Sequence, residues 1–335
     1  MKTWFYLIVL LMATLNLNAQ QNWQPDVLGD GFEQLQVHQP DDYEGAVVTT
    51  VIRSTHNRGN RKAVLYVHGF IDYFFQETLA QQYLEHGYDF YAVDLRKYGR
   101  SKLPNQRWYN VRNLEEYYVD LDVALDLMQA AGYQHILLNG HSTGGLIISL
   151  YANDHKGAEK FDALFLNSPF LDMNVSWAEE KIGIPVLSLV GGIFPNIKLR
   201  KGLSPLYGES LHQQHKGEWQ YNLDWKPIAP RNFTTSWIRA IHKGHRRIKK
   251  GLDIQKPVLV LHSDNSVYHQ HWHPDLMAGD AVLDVKDIEK YALHLGPKVQ
   301  VQGIPEAMHD MVLSRKEVRA KVYDYLFRWL AIYMP

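Results

Sequence analysis

The stretch from His135 to Ile148 constrains the fold more than any other. It runs as a short apolar segment, a turn of the form G-x-S-x-G with Ser142 at its tip, and a second apolar segment. Strand, sharp turn and helix in that order hold a serine hydroxyl clear of the backbone, where it can act as a nucleophile. The residue types follow from sterics: Gly140 and Gly144 remove bulk where the chain folds back on itself. The helix that begins at Thr143 offers a free N–H to a developing negative charge.

The flanking sequence repeats the same alternation. Lys62 to Val67 reads as a buried strand ending in His68-Gly69-Phe70, Ala80 to His86 as a helix closed by Gly87, and Asp89 to Val93 as the next strand. Asn113 with Glu116 three residues on marks a helix start, and Leu114, Tyr118, Leu121, Leu125 and Met128 then recur at helical spacing until Gly132. Ala163 to Leu166, Pro257 to Leu261 and Val299 to Val301 are further strands; Val285 to Leu295 and Lys316 to Ile332 are further helices. An early strand is read at Val47 to Arg53. The pattern implies an α/β fold with a mostly parallel central sheet and helices on both faces.

Between Asp172 and Ser236 the alternation stops, and Pro185, Pro195, Pro205, Pro227 and Pro230 interrupt the chain. Residues 173–235 are expected to form a cap inserted into a core made of 20–172 and 236–335. Within it, Ile184, Val186, Leu187, Leu189 and Val190 are expected to line a hydrophobic tunnel. The same apolar run from Ile182 to Phe194 also suits a transient contact with a membrane or micelle surface, or plain packing onto the core.

At the N-terminus, Lys2 precedes an apolar run from Trp4 to Leu15 and a small residue at Ala19, the pattern of an export signal cut near Ala19. Residues 1–19 are therefore read as a signal peptide, and the protein as periplasmic or secreted. The chain contains no cysteine, so disulfides and a lipidated cysteine are excluded. A formal charge of -1 gives no field to attract nucleic acid. His269, His271 and His273 alternate near Asp264 and Asp275, but the spacing matches no helical metal motif and no metal site is expected. The basic stretch His242 to Lys250 is read as a solvated helix face.

Taken together, His68-Gly69-Phe70, Asp94 to Ser101, Gly140 to Gly144, Asn167-Ser168-Pro169, Gly279 to Asp284 and Met308-His309-Asp310 resemble the monoglyceride lipase and lysophospholipase branch of the α/β-hydrolase superfamily. That group also carries the serine aminopeptidase name. Lys97-Tyr98 departs from the Gly-His usual in the second landmark, and is read as altering only a surface turn. The resemblance implies Ser142 as nucleophile, His309 as base and then acid, and backbone N–H groups of Phe70 and Thr143 as the oxyanion hole. His141 is expected to pack under the elbow. The substrate implied is a single-acyl ester, monoacylglycerol or lysophospholipid, with no cofactor. An aminopeptidase and a non-catalytic binding protein of the same fold are the alternatives.

The orienting carboxylate has three candidates. Asp264 lies directly beyond a strand, and Asp284 lies at a helix start. Asp280 is favoured: Gly279 to Leu283 resembles the family's acid loop, and the short interval to His309 leaves room for one helix and one strand. That choice requires Asn265 to Gly279 to be an excursion that returns to the strand end.

Overall fold

The computed structural model describes residues 22–157, 159–200 and 204–335. The expected signal peptide lies outside the described residues. The described residues form eleven strands: β1 (Gln24–Asp26), β2 (Gly29–Asp42), β3 (Gly45–Ser54), β4 (Lys62–Val67), β5 (Asp89–Asp94), β6 (His135–His141), β7 (Ala163–Asn167), β8 (Lys198–Leu199), β9 (Phe233–Thr234), β10 (Val258–Ser263) and β11 (Val299–Ile304). The helices are α1 (Glu77–Glu85), α2 (Tyr118–Ala130), α3 (Thr143–Asp154), α4 (Ile184–Ile193), α5 (Pro205–Leu211), α6 (Thr235–Lys250), α7 (Val285–Ala292) and α8 (Lys316–Tyr333).

Nine strands form one sheet in the order β1-β2-β3-β5-β4-β6-β7-β10-β11. From β5 to β11 all neighbours are parallel, and β1, β2 and β3 add an antiparallel margin. The central strands read as unbroken apolar runs because both of their faces are covered. In β4, Val64 and Tyr66 enter the core under α1 and α8, while Ala63, Leu65 and Val67 enter the core under α2, α3 and α6. Val64, Leu65 and Val67, fully buried, each contribute on the order of 1.5–3 kcal/mol. This is the α/β-hydrolase fold.

The register brings the strand ends together. Val67 pairs with Gly140, His141 with Asn167, and Asn167 with Leu261, so the C-terminal ends of four parallel strands finish at one edge. The loops that leave those ends meet there. Helix α2 is entered through a 3-10 turn, Leu114–Tyr117, whose start carries the expected box: Glu116 Oε1 accepts from the Asn113 N–H at 3.0 Å.

Residues 173–235 carry α4, α5 and the small ribbon of β8 and β9. Helix α4 crosses α6 closely, since a Cβ on Gly191 would stand 2.3 Å from the carbonyl oxygen of Thr235. The basic half of α6 is more engaged than a solvated face would be. Lys249 pairs with Asp172 and Glu180, Arg247 with Glu115 and Asp154, and Lys243 donates to Asn113.

One expectation is corrected here. Lys97 and Tyr98 are not on a surface turn; Lys97 is 0% and Tyr98 1% exposed. Lys97 Nζ pairs with Asp42 (2.6 Å) and Glu44 (2.9 Å), which arrive on the hairpin between β2 and β3. Two carboxylates and the Tyr43 ring make burial of the ammonium tolerable. Tyr98 packs against His68, with ring centroids 4.8 Å apart.

Candidate active site

Ser142 sits between β6 and α3 with φ 50 and ψ -114, a backbone conformation unusual for a residue with a side chain. Strain of this kind persists only where the surroundings enforce it. They do: a Cβ on Gly144 would lie 2.3 Å from the Val67 carbonyl oxygen, and one on Gly140 would lie 2.7 Å from the Gly145 nitrogen. The Ser142 N–H donates to the Asn167 carbonyl at 3.0 Å, and the Ser142 carbonyl accepts from Phe170 N at 2.9 Å. The elbow is thus tied to the end of β7 as well as to its own helix.

His309, on the loop after β11, places Nε2 3.0 Å from Ser142 Oγ and Nδ1 2.8 Å from Asp280 Oδ2. Asp280 is fully buried, and its other oxygen accepts from the N–H groups of Val282 and Leu283 at 2.8 Å each. Those two bonds fix the carboxylate, and the carboxylate fixes the ring, so that Nδ1 carries the proton and Nε2 faces the serine. The excursion from Asn265 to Gly279 does return to the strand end. Asp280 N donates to Asn265 O (2.9 Å) and Val267 N to Asp280 O (2.8 Å). Asp264 is exposed and Asp284 caps α7 through Lys286 N, so neither reaches His309.

Around this line lies a second layer, of which the sequence pointed only to His141. Asp310, buried, accepts from Asn167 Nδ2 (2.7 Å) and Gln76 Nε2 (3.2 Å), and its N–H donates to Tyr207 Oη, which locks the turn that presents His309. His141 lies under the elbow with its ring 4.9 Å from that of His309. Burial holds the His141 imidazole below its ordinary value in spite of the nearby Asp310, so it stays neutral. Asp72 is buried against Lys226 at 2.9 Å; burial pushes its carboxyl up, but the Lys226 ammonium that bonds it holds it below the usual range.

Phe70 and Thr143 flank the serine. Among the described residues, neither N–H donates in a turn, loop or cap hydrogen bond, so both are available to an oxyanion. The Phe70 loop is held from behind: His68 Nδ1 bonds the Gly69 carbonyl at 2.8 Å, and His68 Nε2 accepts from Leu95 N at 3.1 Å. Tyr98, against His68, therefore backs this loop.

Above Ser142 and His309 opens a cavity of about 450 Å³. Its walls are chiefly apolar, with Phe70 stacked on Trp237 at 4.1 Å and Phe233, Phe170, Leu199 and Leu211 around them. Of the five residues expected to line a hydrophobic tunnel, Ile184 and Leu187 line this cavity; Val186, Leu189 and Val190 do not. Val186 is 51% and Leu189 68% exposed. The reason is helical period: Ile184, Leu187, Ser188 and Gly191 share the inward face of α4, which leaves 186, 189 and 193 outside. The loop after β10 gathers His269, His273 and Asp275, whereas His271 stands apart from that group.

Residues 58–315 match the family model described as serine aminopeptidase, S33, and the chain belongs to that family. No curated protein matches the sequence. Among solved structures, a soluble variant of monoglyceride lipase from Saccharomyces cerevisiae in complex with a substrate analog is similar, with TM-score 0.64, 18% identity, and 89% of this chain and 95% of that chain covered. The monoacylglycerol lipase of Paleococcus ferrophilus also gives TM-score 0.64, at 17% identity, over 86% of this chain and 99% of that one. Est1E from Butyrivibrio proteoclasticus, with ferulic acid bound, gives TM-score 0.53 at 16% identity, over 91% and 97%.

Proposed function

We propose that this member of the serine aminopeptidase S33 family is an exported ester hydrolase that cleaves single-acyl esters, of the monoacylglycerol or lysophospholipid class, through Ser142, His309 and Asp280. The observation that carries the reading is the hydrogen-bonded line from Asp280 through His309 to Ser142 at the floor of a largely apolar cavity. Ser142 Oγ attacks the ester carbonyl while His309 Nε2 takes its proton, and Asp280 stabilises the imidazolium that results. The carbonyl oxygen becomes an alkoxide between the N–H groups of Phe70 and Thr143. Collapse breaks the acyl–oxygen bond, and the leaving alcohol receives the proton held on Nε2. Water, deprotonated by the same nitrogen, then releases the acid and restores the serine.

Two features of the cavity favour an ester over the N-terminus of a peptide. A free α-ammonium asks for a carboxylate, and among the described residues that line the cavity there is none; its charged members are Arg200 and Lys226. Its apolar walls suit an alkyl chain. The alternatives remain an aminopeptidase and a non-catalytic binding protein, neither of which has a specific feature of the site in its favour.

Residues 173–235 serve as the cap, and their outer surface supports contact with a lipid or micelle surface. Val186, Leu189 and Ile193 are 51%, 68% and 73% exposed and recur at helical spacing on the side of α4 away from the cavity, and Ile182, 61% exposed in the turn before α4, continues the stripe. No helix among the described residues is long and apolar enough to cross a membrane.

The test is hydrolysis of esters of graded acyl length beside aminoacyl arylamides. Rates should climb with chain length, by up to about 0.8 kcal/mol of transition-state binding per buried methylene, before levelling off. Faster turnover of the arylamides than of every ester would overturn the reading.

A further inference from the structure

The excursion Asn265 to Gly279 holds a cluster for which the proposed reaction has no use. His269 Nε2 lies 3.5 Å and His273 Nδ1 3.1 Å from the same oxygen, Asp275 Oδ2. The two imidazoles are stacked, ring centroids 4.5 Å apart. We propose that His269, His273 and Asp275 form a binding site for a divalent transition metal of the zinc class.

Three observations carry the assignment. The donor set is two imidazole nitrogens and one carboxylate oxygen, the set zinc accepts and magnesium or calcium does not favour. All three atoms lie within 4.8 Å of one another. The two short separations bracket the edge of a zinc tetrahedron, which for bonds near 2.0–2.1 Å is about 3.3 Å. Last, His273 Nδ1 is asked to do two incompatible things. It accepts the Asp275 N–H at 3.3 Å, as the cap of the next turn, yet it also faces the Asp275 carboxylate at 3.1 Å, where it would have to donate. A cation takes the nitrogen lone pair in place of the Asp275 N–H and binds the carboxylate oxygen with it. Water completes the coordination, since all three residues are exposed.

The place of the site gives it a consequence. The loop is pinned at its two ends, Asn265 and Val267 to Asp280, and carries Tyr268, which lines the cavity and accepts a hydrogen bond from Asn174 of the cap at 3.2 Å. A metal at the tip cross-links three positions of that loop and holds Tyr268 at the cavity wall. The assignment does not depend on the esterase reading, because its readout is binding.

The test is calorimetry of the full chain, stripped of metal, with zinc chloride near pH 7.5, in wild type, His271→Ala and the double variant His269→Ala/His273→Ala. Wild type and His271→Ala should each bind one zinc in the micromolar range, and the double variant at least about 30-fold more weakly, the loss of two ligands. The melting temperature should rise with zinc by a few degrees, about 2–4, in the first two and not in the third. Melting temperatures in EDTA check that the double variant is folded. Absence of saturable binding, or a double variant that binds as wild type does, would overturn the site.

Discussion

The floor and the roof of the cavity are held by different means. Ser142, His309 and Asp280 lie 7%, 3% and 0% exposed on loops that leave the ends of parallel strands, the backbones of Ser142 and Asp280 pinned directly and that of His309 through its neighbours Met308 and Asp310. The roof, residues 173–235, is seated by the crossing of α4 over α6, by the packing of Phe233 on Phe70 and Trp237 and by the buried ion pair of Lys226 with Asp72, and it leaves an apolar stripe in water. The difference teaches where chemistry and choice of substrate are separated. On the proposed reading, the sheet holds the reacting atoms, while the insertion lines the space above them.

The comparison breaks most visibly at the floor. Asp280→Asn is expected to lower kcat by about 10⁴ with the fold intact, because the imidazole loses its tautomer and orientation. Asp264→Asn should stay within about twofold of wild type, since that side chain is exposed and His309 is bonded by Asp280 instead. Steady-state kinetics on a short ester decide between them.

At the roof, the two faces of α4 should separate. Ile184→Asp with Leu187→Asp should lower turnover of long-chain esters by about 10³, roughly 2 kcal/mol for each apolar side chain withdrawn from the alkyl chain. Acetyl esters should be affected far less. An equal loss on both would mean that the cap had misfolded.

The seat of the roof supplies a test by pH. His245 on α6 bonds the Phe170 carbonyl at 2.9 Å, and burial pushes its imidazole down to about 4. The unfolded chain takes up this proton near pH 6.5 and the folded chain only near 4, so stability is complete above the first value and falls between them. The loss should reach about 3 kcal/mol at pH 4. Urea midpoints should show that slope in wild type and a shallower one in His245→Asn.

The smallest effect is expected outside. Val186→Asp with Leu189→Asp should leave the rate on monomeric esters within about twofold, and lower the rate on vesicle-borne substrate by about tenfold, if the stripe meets lipid. Equal rates on both would confine the role of α4 to its inner face.

Much of the floor was legible because its signals are local: the Gly-bounded serine turn, the Asn113–Glu116 box, the apolar runs of β4 to β7. What escaped depends on partners distant in the chain or on which side of an element is covered. The fourteen residues of β2, Gly29–Asp42, show no clean alternation because most of them stay partly exposed on both faces. Lys97 looked solvated because its acids, Asp42 and Glu44, come from a hairpin more than fifty residues earlier. Lys226 and Asp72 are 154 residues apart. In α4 almost every residue is apolar, so nothing in the sequence distinguished Leu187, inside, from Leu189, outside.

The central claim is that Ser142 is a nucleophile activated by His309 beneath this cap. It is tested most directly by the mass of the intact protein after treatment with a fluorophosphonate, with the adduct located by peptide mapping. The account predicts one adduct, on Ser142, with parallel loss of ester hydrolysis, and neither labelling nor turnover in Ser142→Ala. An adduct on another serine, or full turnover in Ser142→Ala, would contradict it.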